Sequence, residues 1–180
     1  MEPITLITGN PGKIDEARRF LNMDIDHVSL DLPEIQSLFS REIVEDKVWR
    51  AYREIGRPVL VEDVSFTVHS LGGLPGPLIK WFEKTVGLKG LCDMANGKDR
   101  ACTASILYGY CDGNRVLFAE GEMKGSVADI PKGKNSFGWG SIFIHEGMDR
   151  TYAELSTEEQ DAISYRKKAL ERMERQLRAL

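Results

Sequence analysis

VLVEDVSFTVHSLGGLPGPLIKWF, from Val59 to Phe82, sets the character of the chain. Val59 to Val61 predicts a buried strand, and Ser65 to His69 alternates well enough to carry that strand onward. Leu71 to Pro77 must then be loop, because its glycines and prolines break both the strand and the helix periodicity. Between these parts stand two adjacent carboxylates, Glu62 and Asp63, at the end of the apolar run. A carboxylate so placed commonly binds magnesium or accepts a proton from water. Neighbours on a strand face opposite ways, so one of the pair is expected to serve a site and the other structure. Taken alone, the pair fits a solvated strand end equally well.

Upstream, Ile4 to Thr8 is a short β-rich run closed by Gly9-Asn10-Pro11-Gly12, after which Ile14, Ala17 and Leu21 recur at helical spacing. Strand, turn and helix follow in that order. Backbone amides in such a turn add to the positive end of the helix dipole, and Lys13 brings a full charge, so TGNPGK can hold an anion. It is not a P-loop, which needs Gly and Ser or Thr where Ile7 and Ile14 stand. By itself the turn is compatible with an ordinary strand-to-helix connection. A second strand is expected near His27 to Leu30. Val44, Val48, Ala51, Tyr52 and Ile55 mark one face of a helix ending at Gly56-Arg57-Pro58.

Downstream, short helices are expected through Ile79 to Val86 and Leu88 to Ala95. Arg100 to Tyr110 and Arg115 to Met123 flank the turn signal Cys111-Asp112-Gly113-Asn114, which predicts a long hairpin. Pro131 to Gly140 is too irregular for an element, and Ser141 to Ile144 reads as a short buried strand. Ser156 with Glu159 forms a capping box that opens a final helix, with Ala162, Ala169, Met173 and Leu177 toward a core. This order predicts an α/β domain with a mixed sheet.

The 180 residues suit one domain, residues 1–180, and the net charge of -4 argues against a general affinity for nucleic-acid backbones. Cys92, Cys102 and Cys111 show neither disulfide nor zinc spacing, and His27, His69 and His145 lack metal-ligand spacing. MEPITLITGN has no basic n-region with a long apolar core, and no apolar run reaches membrane length. A cytoplasmic protein with neither membrane nor nucleic-acid partner is the expectation.

Read in order along nearly the whole chain, the motifs resemble those of the inosine triphosphate pyrophosphatase, or Ham1, family. TGNPGK is similar to its TGNxxK opening, LPEIQ at Leu32 to Gln36 to its acidic loop, and VLVEDVSFTVHSLGGLPGPLIKWF to its central segment. IPKGKNSFGWG and TYAELSTEEQDAISYRKKAL fall where that family has its later motifs. The resemblance implies a Ham1/Maf-like fold: a long mixed β-sheet flanked by helices, two lobes with a central nucleotide cleft, and a homodimer. It further implies hydrolysis of deaminated purine nucleoside triphosphates (ITP, dITP, XTP) to monophosphate and pyrophosphate with Mg2+.

Carried over residue by residue, Thr8, Asn10, Lys13 and Lys47 would hold phosphates. Glu34 and Asp63 would bind the metal, with Asp63 activating water, so that Asp63, Glu34 and Lys13 are the catalytic candidates. Phe137, Gly138, Trp139, Gln160, Ser164, Tyr165 and Arg166 are the substrate-binding candidates toward the base. Trp139 has a plainer alternative, packing against its own loop. The chain departs from the family at the base end, with Gly140 in place of Asp, Gln160 in place of Lys and Tyr165 in place of His. The matches therefore favour the reaction type over any particular base. Two alternatives stand beside it: the same chemistry on a shifted base, and a nucleotide-binding protein with little turnover.

Overall fold

In the computed structural model of the protein, residues 3–136 and 138–180 are described. The elements run in the order β1 (Ile4–Ile7), α1 (Pro11–Phe20), β2 (Ile25–Val28), α2 (Ser40–Ile55), β3 (Val59–Val68), β4 (Pro75–Gly76), α3 (Ile79–Thr85) and α4 (Gly87–Met94). The hairpin β5 (Ala101–Cys111) and β6 (Val116–Val127) follows, then β7 (Phe143–His145), α5 (Thr157–Ile163) and α6 (Tyr165–Arg178). The strands make one open seven-stranded sheet ordered β2-β1-β3-β5-β6-β7, with β4 paired to β3 off that path. β1 is parallel to β2 and to β3, whereas β3 with β4 and β6 with β7 are antiparallel. The sheet is therefore mixed, as the sequence predicted. Among the described residues no helix is long and apolar enough to cross a membrane.

The chain divides into two compact units, one of residues 1–63, 106–121 and 166–180, the other of residues 64–105 and 122–165. β3, β5 and β6 each supply residues to both. In the first unit β1 and the start of β3 are buried on both faces, which is why they read as largely apolar runs, whereas the parallel strand β2 exposes Asp26 and His27. Val44, Val48 and Ala51 of α2 pack with Ile7, Val59, Val61 and Cys111. Gly109 permits this close approach, since a Cβ there would lie 2.5 Å from Val44 Cγ1. Gly56, at φ 72°, ends α2 in the left-handed conformation, where its amide bonds to the Tyr52 carbonyl.

At the hairpin turn, Asp112 Oδ1 accepts from the amides of Asn114 and Arg115. This is the local chemistry the turn residues announced. In the second unit, Leu71 to Pro77 is less irregular than expected, because Pro75–Gly76 forms a two-residue strand on Phe66 and Thr67. Pairing with a neighbour overrides the local glycine and proline signal there. The expected final helix is two helices. The Ser156 and Glu159 capping box opens α5 as predicted, but the backbone turns extended at Ser164 (ψ 121°) before α6 begins. Ala162 is consequently exposed, while Ala169, Met173 and Leu177 are buried.

Candidate functional site

The phosphate-side and metal-side candidates of the sequence all lie in the first unit. Asn10 is the N-cap of α1, its Oδ1 accepting from the Gly12 amide at 2.9 Å, and Thr8 Oγ1 accepts from the Asn10 amide at 3.1 Å. The Lys13 amide bonds back to the Asn10 carbonyl, and Pro11 has no N–H. The turn thus uses those amides itself. The expected backbone cradle passes to side chains: the Thr8 hydroxyl and Asn10 amide group keep their own hydrogens to donate, and Lys13 adds charge.

Glu62 and Asp63 divide as the strand geometry requires. Glu62 is buried, with one carboxylate oxygen against Lys13 Nζ and the other against Arg166 Nη1. Burial is the largest single influence on this carboxyl and raises its pKa. The charges of Arg166 and Lys13, with their hydrogen bonds, together outweigh it and bring the value down to about 2. Asp63 is the opposite case. Burial pushes its pKa up to about 6, against the lowering effects of a Ser40 hydrogen bond and of Lys47, with Glu34 and Glu62 adding to the rise. Its Oδ2 is buried with no hydrogen-bond partner.

Lys47 on α2 reaches both the Glu34 carboxylate and the Glu62 carbonyl, the latter at 3.2 Å. Glu34, Lys47 and Asp63 are therefore neighbours, although Glu34 comes from the loop before α2. Among the described residues no cluster of three or more acidic, histidine or cysteine side chains is arranged to hold a metal. A cation at Asp63 and Glu34 would have two protein carboxylates, with its remaining positions left to ligand and water oxygens. Hard oxygen donors and an orphaned buried carboxylate oxygen suit magnesium in that arrangement.

Arg166, expected toward the base, is the largest of the fully buried side chains. Its Nε meets Glu16 Oε2 at 3.1 Å, and Nη1 reaches the Tyr108 hydroxyl at 3.3 Å besides Glu62. The other base-side candidates lie in the second unit, except Phe137, which lies outside the described residues. Trp139 is buried, stacked on Phe66 at 5.2 Å and edge-on to Phe143, with Tyr165 at 5.6 Å. One face of the indole is thus already taken, in keeping with the plainer packing alternative.

Gln160 Nε2 donates to the carbonyls of Asn135 at 2.6 Å and Tyr152 at 2.7 Å, closing the loop before Trp139 onto the turn at residues 152–154. Ser164 and Tyr165 are buried, and Gly138 has φ 62° with its Cβ position 3.0 Å from Glu83 Oε1. Glu83 accepts from the Trp139 amide, while its burial raises its pKa. Sequence reasoning missed Glu83, Glu16, Tyr108 and Ser40: Tyr108 falls on the alternating buried face of β5 like any core residue, and the other three carry no motif.

Gly133 is the tightest point of this loop. At φ 80°, a Cβ would lie 2.3 Å from the Ala153 carbonyl group, whose oxygen accepts the Lys134 and Asn135 amides. Gly133→Ala should cost more than about 2 kcal/mol, because backbone cannot yield as a side-chain tip can and the left-handed conformation adds its own penalty. Urea unfolding of the variant reads this out, and a loss below about 0.5 kcal/mol would mean the loop is not seated as described.

An open mixed sheet that carries Glu62 and Asp63 midway along β3, beside Lys13 on α1 and Lys47 on α2, is an α/β arrangement suited to phosphate esters or anhydrides. The comparisons make the class specific. The model of the Ham1 family matches residues 4–176. The chain is 44% identical to inosine triphosphate pyrophosphatase 2 of Trypanosoma cruzi over 93% of its length and 88% of that protein's. It is 38% identical to a dITP/XTP pyrophosphatase of Methanopyrus kandleri over 94% and 93%. A HAM1 protein structure from Coxiella burnetii superposes with a TM-score of 0.87, at 26% identity and full coverage of both chains. The chain belongs to the Ham1 family, and it is an enzyme of the pyrophosphohydrolase class that its curated relatives' names describe.

Proposed function

We propose that the protein hydrolyses deaminated purine nucleoside triphosphates, ITP, dITP and XTP, between the α and β phosphates to give monophosphate and pyrophosphate. The observation that carries this is Asp63: a carboxylate with one buried, unpartnered oxygen and a raised pKa, beside Glu34 and Lys47. The names of the T. cruzi and M. kandleri relatives support the substrate class. Lys13, Lys47, Thr8 and Asn10 bind the phosphate oxygens, which needs Lys13 to share its ammonium with Glu62. Asp63 orients the attacking water and takes its proton as the water oxygen bonds to the α phosphorus, and pyrophosphate leaves. Glu34 and Asp63 are the residues that would hold a magnesium ion, whose chemistry there is neutralisation of phosphate charge.

A second possibility, the same reaction on a shifted base, is favoured by one observation. The Gln160 amide is committed to backbone carbonyls, so this position presents no cation to a base. The purine reading still predicts ITP and XTP ahead of ATP, because a guanidinium can donate to a keto group at purine position 6 and not to an amino group, which needs the buried Arg166 to turn a donor from its carboxylate partners toward the base. Release of pyrophosphate from ITP, XTP, GTP, ATP and the pyrimidine triphosphates, each with and without magnesium, separates the two. A preference for ATP or a pyrimidine would defeat the deaminated-purine assignment. Absence of pyrophosphate from every member of the panel would defeat the hydrolase assignment itself.

A further inference from the structure

We propose that Glu62 is a positioning residue that couples Lys13 to Arg166, so that an anion taken up by Lys13 alters the pairing of Arg166. The inference rests on the assignment of Lys13 to phosphate. Glu62 gives one carboxylate oxygen to each cation, Oε1 to Lys13 and Oε2 to Arg166. Arg166 has a second carboxylate, Glu16, at 3.1 Å and the Tyr108 hydroxyl at 3.3 Å. Two carboxylates thus face two cations in a network drawn from the first two turns of α1, the middle of β3 and the first turn of α6. The side chains of Glu62 and Arg166 are 4% and 2% exposed, whereas that of Lys13 is 26% exposed. Lys13 is the member that can answer a ligand arriving from solvent.

A polyphosphate drawing on the Lys13 ammonium removes part of the countercharge on a buried carboxylate. An unpaired charge there is expensive, and beside the neutral Tyr108 hydroxyl the remaining cationic partner is the guanidinium. Arg166 therefore shares itself more with Glu62 and less with Glu16 when phosphate is bound. The arginine assigned to the base thereby registers whether the phosphate subsite is filled, without touching phosphate.

The test uses the full chain, magnesium and inorganic tripolyphosphate, a probe with neither base nor sugar. Nitrogen-15 NMR follows the Arg166 Nε–H resonance, assigned by its loss in Arg166→Lys. Saturating tripolyphosphate should move it in the wild type and leave it unmoved in Lys13→Ala, driven to saturation at higher concentration, and in Glu62→Gln. Calorimetry on the same samples should show Lys13→Ala binding the probe about tenfold more weakly.

Should Glu62→Gln not fold, Glu62→Asp takes its place. Its shorter side chain cannot span both cations, so less than half the wild-type shift is expected. A wild-type resonance that stays still while Lys13-dependent binding proceeds overturns the coupling and spares the phosphate assignment. A shift that persists in saturated Lys13→Ala, or undiminished in the Glu62 variant, means direct contact and overturns it too. Tripolyphosphate binding indifferent to Lys13→Ala removes the phosphate assignment, and the coupling with it.

Discussion

Asp63→Asn lowers kcat/KM for ITP by about a thousandfold and, in the same sample without metal or nucleotide, makes the fold more stable at pH 8. The loss of rate follows from removing a general base, a contribution of roughly a hundred to ten thousandfold. The gain in stability follows from the pKa, which burial raises from 3.8 to about 6. Between those values the folded chain binds more proton than the unfolded one, so stability falls as pH rises through the window and the full penalty remains above it. The shift corresponds to about 3 kcal/mol, reduced to about 1–2 kcal/mol because the asparagine amide also needs partners. For a chain of this size that is a rise of about 2–8 °C in Tm. The difference should vanish near pH 4. A variant that keeps a tenth of wild-type activity, or that melts lower than wild type at pH 8, contradicts the role given to Asp63.

Arg166→Ala should cost about 3–5 kcal/mol, the usual penalty for removing one partner of a buried ion pair. Glu62 would keep Lys13 and the Tyr108 hydroxyl, and Glu16 would lose its guanidinium partner. Melting should fall by about 6–20 °C. The low pKa of Glu62 means that its pairing contributes above pH 4.5 and is lost as pH falls toward 2, so the gap between wild type and variant should narrow over that interval. Urea unfolding at pH 7 and pH 3 measures both. A cost below about 1 kcal/mol at pH 7 would show that the guanidinium is not committed to the network. Arg166→Ala should also reduce the preference for ITP over ATP, so kinetics belong at a temperature where the variant is folded.

Most of the scaffold was legible because it rests on local signals: the apolar face of α2, Gly56 at its end, the Asp112-Gly113 turn, the capping box at Ser156. What escaped depends on partners distant in sequence. β4 exists because Phe66 and Thr67 present an edge to Pro75 and Gly76, and the break at Ser164 has neither glycine nor proline to announce it. On the site, strand alternation foretold that Glu62 and Asp63 would part ways, but not that Glu62 would be enclosed by Lys13 and Arg166. Arg166 lies 104 residues from Glu62, and ion pairs across such separations leave no period to read. Gln160 was recognised as a departure. Its reason is three-dimensional, a side-chain amide holding the carbonyls of Asn135 and Tyr152.

The glycine at position 140 has a bearing on the order in which such a chain can change. A Cβ placed there would sit 2.1 Å from Ser136 Oγ and 2.6 Å from Ser136 Cβ. Aspartate at 140 therefore meets a neighbour that must first be made smaller or displaced. A descendant could acquire a carboxylate at 140 only by way of a change at 136, so the two positions form an epistatic pair. Engineering a carboxylate at this position should accordingly begin with Ser136→Gly, with Gly140→Asp introduced only in that background.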